Sequence, residues 1–103
     1  MDKQKILEEL GGLPEEVYDQ LCQLFIEDAQ SKLNDMKEAL NAVDAEKLKM
    51  LAHSLKGSAG NLRIENIHKL ALNFEVAVKT NASPENLKNI FNLLVKAVEE
   101  FHV

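Results

Sequence analysis

The stretch "LAHSLKGSAGNL", residues 51–62, decides how the chain folds. Leu51, Leu55, Ala59 and Leu62 recur at steps of three and four, the period of one face of an α-helix. Gly57 and Gly60 fall within the same stretch, and each exposed helical glycine costs about 1 kcal/mol relative to alanine. One alternative ends the helix at Lys56, with Gly57 as the left-handed residue just beyond it. Ala59 and Leu62 favour a continuous helix, because they carry the apolar stripe in phase past both glycines.

A wheel at 100° per residue, with His53 at zero, puts Leu48, Leu51, Leu55, Ala59 and Leu62 between about 160° and 240°. His53 stands opposite them, in water. Gly57 falls at about 40° and Gly60 at about −20°, with Lys49 and Lys56 at about −40° and −60°. Two such glycines forfeit about 2 kcal/mol of a stability that is commonly about 5–15 kcal/mol. The wheel gives neither a packing reason. Bare backbone lets another protein approach the imidazole, and the neighbouring ammonium groups attract a dense negative charge such as a phosphoryl group.

Outward from this helix the breaks are short: "GGLP" at 11–14, "NAVDA" at 41–45, "LRIEN" at 62–66 and "TNASP" at 80–84. Residues 2–10 form a short helix with Ile6, Leu7 and Leu10 on one side. A second helix opens at Pro14, followed by Glu15 and Glu16 near its positive dipole end, and runs to about Leu40. Its main stripe is Tyr18, Cys22, Ile26, Ala29, Leu33, Met36, Leu40 and Val43. Val17, Leu21, Leu24 and Phe25 make a second stripe, for which the N-terminal helix is the expected cover. Asp44 is the expected N-cap of the third helix. The fourth, near 65–80, buries Ile67, Leu70, Ala71, Phe74 and Val78. The fifth starts at Ser83-Pro84 and buries Leu87, Ile90, Phe91, Leu94, Val98 and Phe101. The expected fold is all-α: an antiparallel up-down-up-down four-helix bundle with a short N-terminal covering helix, one domain over residues 1–103.

Composition sets the bounds. A chain of 103 residues, 46% hydrophobic and 28% charged, suits one soluble domain. The net charge of −5 argues against non-specific nucleic-acid or anionic-membrane binding. Cys22 is the only cysteine, so no intrachain disulfide can form. The chain has neither a membrane-length apolar run nor a signal-peptide core, and a cytoplasmic monomer is expected. Tyr18 and Cys22 sit on the second helix's seam and read as core. Glu65-x-x-His68 and Glu99-x-x-His102 match the spacing of carboxylate-bridged metal bundles, but the wheels put both pairs off the buried stripes, so no metal site is expected.

"AHSLKGSAGNL", residues 52–62, resembles the signature of histidine-containing phosphotransfer (HPt) domains, H-x-L-K-G-S/A-S/A-x-x-L. His53, Leu55, Lys56, Gly57, Ser58, Ala59 and Leu62 all fit, and Phe74-Glu75 looks like the family's Leu-Glu position in the next helix. Arg63 departs from it, standing where the family often has glycine, which leaves the end of the third helix and partner preference open. The resemblance implies that His53 is the phosphoacceptor and that Lys56 helps balance phosphate charge. Lys49, Gly57, Gly60 and Asn61 are the expected partner-docking positions. Ser58 falls near the core edge, where a packing or backbone-bonding role is expected.

The implied partners are a response-regulator receiver domain and a hybrid histidine kinase, with Mg²⁺ held by the receiver and no cofactor in this chain. Such a chain is a phosphocarrier, not an enzyme: it has no Gly-rich nucleotide loop and no room for a kinase domain. Its starting Met favours a free-standing protein over the N-terminal phosphotransfer domain of a chemotaxis-type or hybrid kinase. An interaction module without chemistry would have no use for glycines beside a histidine.

Overall fold

The computed structural model describes residues 2–102, which form five α-helices with no strand among them. These are α1 (Lys3–Glu9), α2 (Glu15–Asn41), α3 (Ala45–Asn61), α4 (Glu65–Lys79) and α5 (Pro84–Glu100). Three starts are capped by side chains. Asp2 accepts from the Lys5 N–H, Asp44 from Lys47 and Ser83 from Asn86, each satisfying a donor that no helix carbonyl reaches. Pro14 lies one residue before α2 rather than inside its first turn, and Glu15 and Glu16 meet the dipole there.

Helices α2, α3 and α4 end by one device. Val43, Arg63 and Asn81 adopt left-handed φ values of 54°, 61° and 58°. The following N–H then returns to a carbonyl inside the helix: Asp44 to Ala39, Ile64 to Ala59 and Ala82 to Ala77, all at 2.9 Å. This explains Arg63, which occupies the left-handed position that glycine fills without strain. Its guanidinium returns to the Gly60 carbonyl at 2.9 Å. Val43 corrects the sequence expectation. It does not continue the α2 stripe, but turns the chain and is 75% exposed. A branched residue in that conformation costs about 1–2 kcal/mol.

Each long helix buries one face. Met36, Leu55, Ile67, Phe74 and Leu94 are the large wholly buried side chains of the main core. Helix α2 packs on α3, α3 on α4, α4 on α5, and α5 returns to α2. Ile6 of α1 joins Tyr18 and Cys22 in a second cluster, ringed by Leu7, Leu10, Leu13, Leu62 and Phe101. The Tyr18 hydroxyl donates to the Leu62 carbonyl at 2.7 Å, tying α2 to the end of α3. Burial pushes the pKa values of both the Tyr18 phenol and the Cys22 thiol up, as befits core side chains.

The cover expected of α1 is not where the sequence placed it. Lys3 bonds Asp19 at 2.7 Å and Glu15 at 3.0 Å, and α1 sits on Tyr18 and Cys22. Of the second stripe only Phe25 is buried, while Val17, Leu21 and Leu24 stay exposed. Among the described residues no helix is long and apolar enough to cross a membrane.

Candidate functional site

Helix α3 runs unbroken through Gly57 and Gly60 to Asn61. His53 therefore stands mid-helix on a rigid element, its side chain 68% exposed. The ring is held from below. Its Nδ1 lies 2.9 Å from Oε2 of Glu75, a residue of α4 that is only 3% exposed. Lys56 donates from Nζ to the other carboxylate oxygen, Oε1, at 2.8 Å, and the Lys79 ammonium lies 3.8 Å from Oε2.

The charge state of Glu75 bears on which ring nitrogen of His53 carries the proton. The Lys56 ammonium holds the Glu75 carboxyl below its ordinary 4.5, the His53 contact and Lys79 add to that, and burial opposes it. Glu75 is thus a carboxylate at neutral pH, able only to accept. The imidazole must donate, so its proton sits on Nδ1. In the neutral ring the free lone pair is then on Nε2. In that tautomer Nε2 offers its lone pair on the outward side of the ring, in an orientation set by Glu75.

The other sequence-chosen residues divide. Lys56 is beside His53, but its ammonium is engaged by Glu75 and does not stand free. Half-buried Lys49 shares with His53, Glu75 and Lys79 the wall of one shallow depression. Gly57 is exposed, and a Cβ there would meet nothing within 4 Å. Gly60 differs from the open flank that the wheel drew. It is half-buried, and a Cβ there would lie 3.0 Å from His68 Nδ1. Asn61 is exposed at the last position of α3, about 12 Å along the axis from His53. Ser58 is half-buried, at the core edge.

Sequence reasoning noticed Glu75 but gave it no role, and passed over Lys79. The available signal was a carboxylate beside Phe74 at the edge of an apolar face, with a lysine four residues on. The metal-type spacings lead elsewhere. Glu65, Glu99 and His102 are exposed, and His68 Nδ1 bonds the Lys56 carbonyl at 3.0 Å. Among the described residues no three His, Cys, Asp or Glu side chains come together.

A family model described as the Hpt domain matches residues 20–101. That span holds α3, α4 and every residue of the site. Hpt domains are helical phosphotransfer modules of two-component signalling. No curated protein and no solved structure matched the chain significantly.

The lowered Glu75 pKa makes stability depend on pH. A carboxyl whose folded value lies below its unfolded one stabilises the fold above the unfolded value and loses that contribution as pH falls through the folded one. Wild type should therefore lose stability as pH drops below about 4.5, towards the lowered Glu75 value. Glu75→Gln should show a shallower acid limb, read from urea midpoints between pH 7 and pH 3. Equal acid limbs would contradict an ionised, partnered Glu75.

Proposed function

We propose that this chain, which belongs to the Hpt domain family, relays a phosphoryl group between receiver-domain aspartates through a phosphohistidine at His53. The observation that carries the proposal is the His53–Glu75–Lys56 constellation: an exposed imidazole whose inner nitrogen is tied to a buried carboxylate.

The step balances without a general base. The Nε2 lone pair attacks phosphorus of an aspartyl phosphate. The bond from phosphorus to the aspartate oxygen breaks, and its electron pair returns to the aspartate carboxylate. Nε2 carries no proton, so none need leave, unlike a serine hydroxyl. The product ring is phosphorylated on Nε2 and protonated on Nδ1, and it is cationic. Glu75 accepts from that Nδ1–H and stabilises the charge. The reverse step returns the group to a second aspartate. Phosphoryl transfer depends mainly on in-line positioning and charge neutralisation, and Lys56, Lys49 and Lys79 supply positive charge beside the ring. Mg²⁺ belongs to the receiver in this scheme.

Gly57 and Asn61 lie on the face that meets the receiver, and a Gly57 side chain would stand where the partner's loops approach. Helices α2–α5 serve as an antiparallel up-down-up-down bundle with α1 as its cover, in one domain over residues 1–103. Short connections and the return of α5 onto α2 support that arrangement. The protein acts as a monomeric cytoplasmic phosphocarrier rather than an enzyme, alongside a hybrid kinase and a response regulator.

His53→Gln tests the assignment. It should abolish phosphate uptake from receiver domains charged with acetyl phosphate while the helical circular dichroism and thermal midpoint stay close to wild type. Uptake by the folded variant would refute it. Gly57→Leu tests the docking face separately. The free protein has open space there, so stability should hold or rise by about 0.5–1 kcal/mol. Transfer from the receiver should slow at least about tenfold. Unchanged transfer would show that the receiver does not pass over Gly57.

A further inference from the structure

His68 is used by none of this chemistry, yet its ring is fixed as firmly as that of His53. It is half-buried on α4, and Nδ1 lies 3.0 Å from the Lys56 carbonyl inside α3. A carbonyl only accepts, so Nδ1 carries the proton in either charge state of the ring. The approach is possible because residue 60 has no side chain. A Cβ there would lie 3.0 Å from Nδ1, the atom that makes the bond, and 3.3 Å from Cε1.

We infer that His68 is a positioning residue for the His53 site: seated in the notch left by Gly60, it fixes the register of α4 against α3 that brings Glu75 to His53. The inference rests on His53 being the phosphoacceptor. Its geometry is in the numbering. Gly60 lies seven residues after His53 on α3, and Glu75 seven after His68 on α4. Seven residues make almost two turns, about 10.5 Å. The pairs Gly60 with His68 and His53 with Glu75 are therefore two rungs of one seam, with numbers rising on one helix as they fall on the other. Slipping α4 by one residue would shift Glu75 by about 1.5 Å and turn it by about 100°. A 2.9 Å contact does not survive such a shift.

The lysine contacts cannot set this register alone. Lys56 reaches Glu75 on a long, flexible stem that tolerates a slip, and Lys79 lies four residues on in α4 itself, so it moves with Glu75. The His68 side chain is shorter and stiffer, and its acceptor is backbone. It also falls on the carbonyl of the residue whose ammonium grips Glu75, so α3 holds α4 at both rungs through Lys56. The helical glycine at 60, which costs about 1 kcal/mol, thereby gains a reason that the exposed wheel did not supply.

The test uses His68→Ala, His68→Asn, Gly60→Ala and the Gly60→Ala/His68→Ala double variant. Two readouts are needed: the share of the Nδ1–H tautomer of His53 from imidazole 15N shifts, and the rate of His53 phosphorylation by phosphoramidate. In the latter the P–N bond breaks and ammonia leaves with its electron pair. Folding is checked by thermal melts. His68→Ala and Gly60→Ala should each lower the Nδ1–H share and slow phosphorylation by about tenfold. His68→Asn, whose amide nitrogen can sit where Nδ1 does, should restore both. Gly60→Ala should do no further harm once His68 is gone. An unchanged Nδ1–H share in folded His68→Ala or Gly60→Ala would overturn the inference, as would effects that simply add in the double variant. Should His68→Ala not fold, Gly60→Ala and His68→Asn decide alone. Wild type that phosphoramidate cannot phosphorylate would instead count against His53 as acceptor, and the tautomer comparison would still judge the register.

Discussion

Glu75 is a carboxylate taken out of water in a helical seam, and the rest of the site follows from how it is paired. Burying an ion costs several kcal/mol unless partners offset it. Here Lys56, His53 and Lys79 do so from two helices. Buried ion pairs are weak stabilisers compared with apolar residues of the same size, so stability is a poor reason to keep one. Its evident work is directional. An ionised Glu75 can only accept a hydrogen bond, which puts the imidazole proton on Nδ1 and the lone pair on Nε2. One buried charge thereby leaves a lone pair on the outward ring nitrogen, which the proposed transfer uses without a base beside it.

Two glycines of one helix then divide into different tasks. The space at Gly57 is open to solvent and available to a partner, whereas the space at Gly60 is filled by His68. The outward side of α3 thus stays bare near the imidazole while its α4 side is locked. The proposed phosphotransfer role needs both properties, because an acceptor must be reached by another protein and yet hold its geometry. The exposed Val17, Leu21 and Leu24 on α2 take part in neither.

Much of this was legible in the sequence. The helix starts at Asp44 and Ser83, the continuous helix through the glycines, the core seats of Tyr18 and Cys22, and the exposure of His53 all follow from local chemistry and the 3.6-residue period. What escaped depends on how helices sit against one another. A single-helix wheel shows His53 opposite its own core but cannot show that α4 brings Glu75 beneath it. The same limit made Gly60 look open and put α1 over Val17 and Leu21 instead of Tyr18 and Cys22. Val43 was misjudged for another reason: its apolar side chain continued the pattern, while backbone hydrogen bonding ended the helix at Asn41 and turned the chain there.

The site of phosphorylation on the ring tests the central claim most directly. Phosphorylating the wild-type protein and recording 31P and 15N spectra of the His53 ring identifies the nitrogen that carries phosphorus. A carboxylate clamped on Nδ1 requires the group to be on Nε2, with Nδ1 still protonated. A phosphoryl group found on Nδ1 would mean that Glu75 does not hold that nitrogen, and the account of the site would fail.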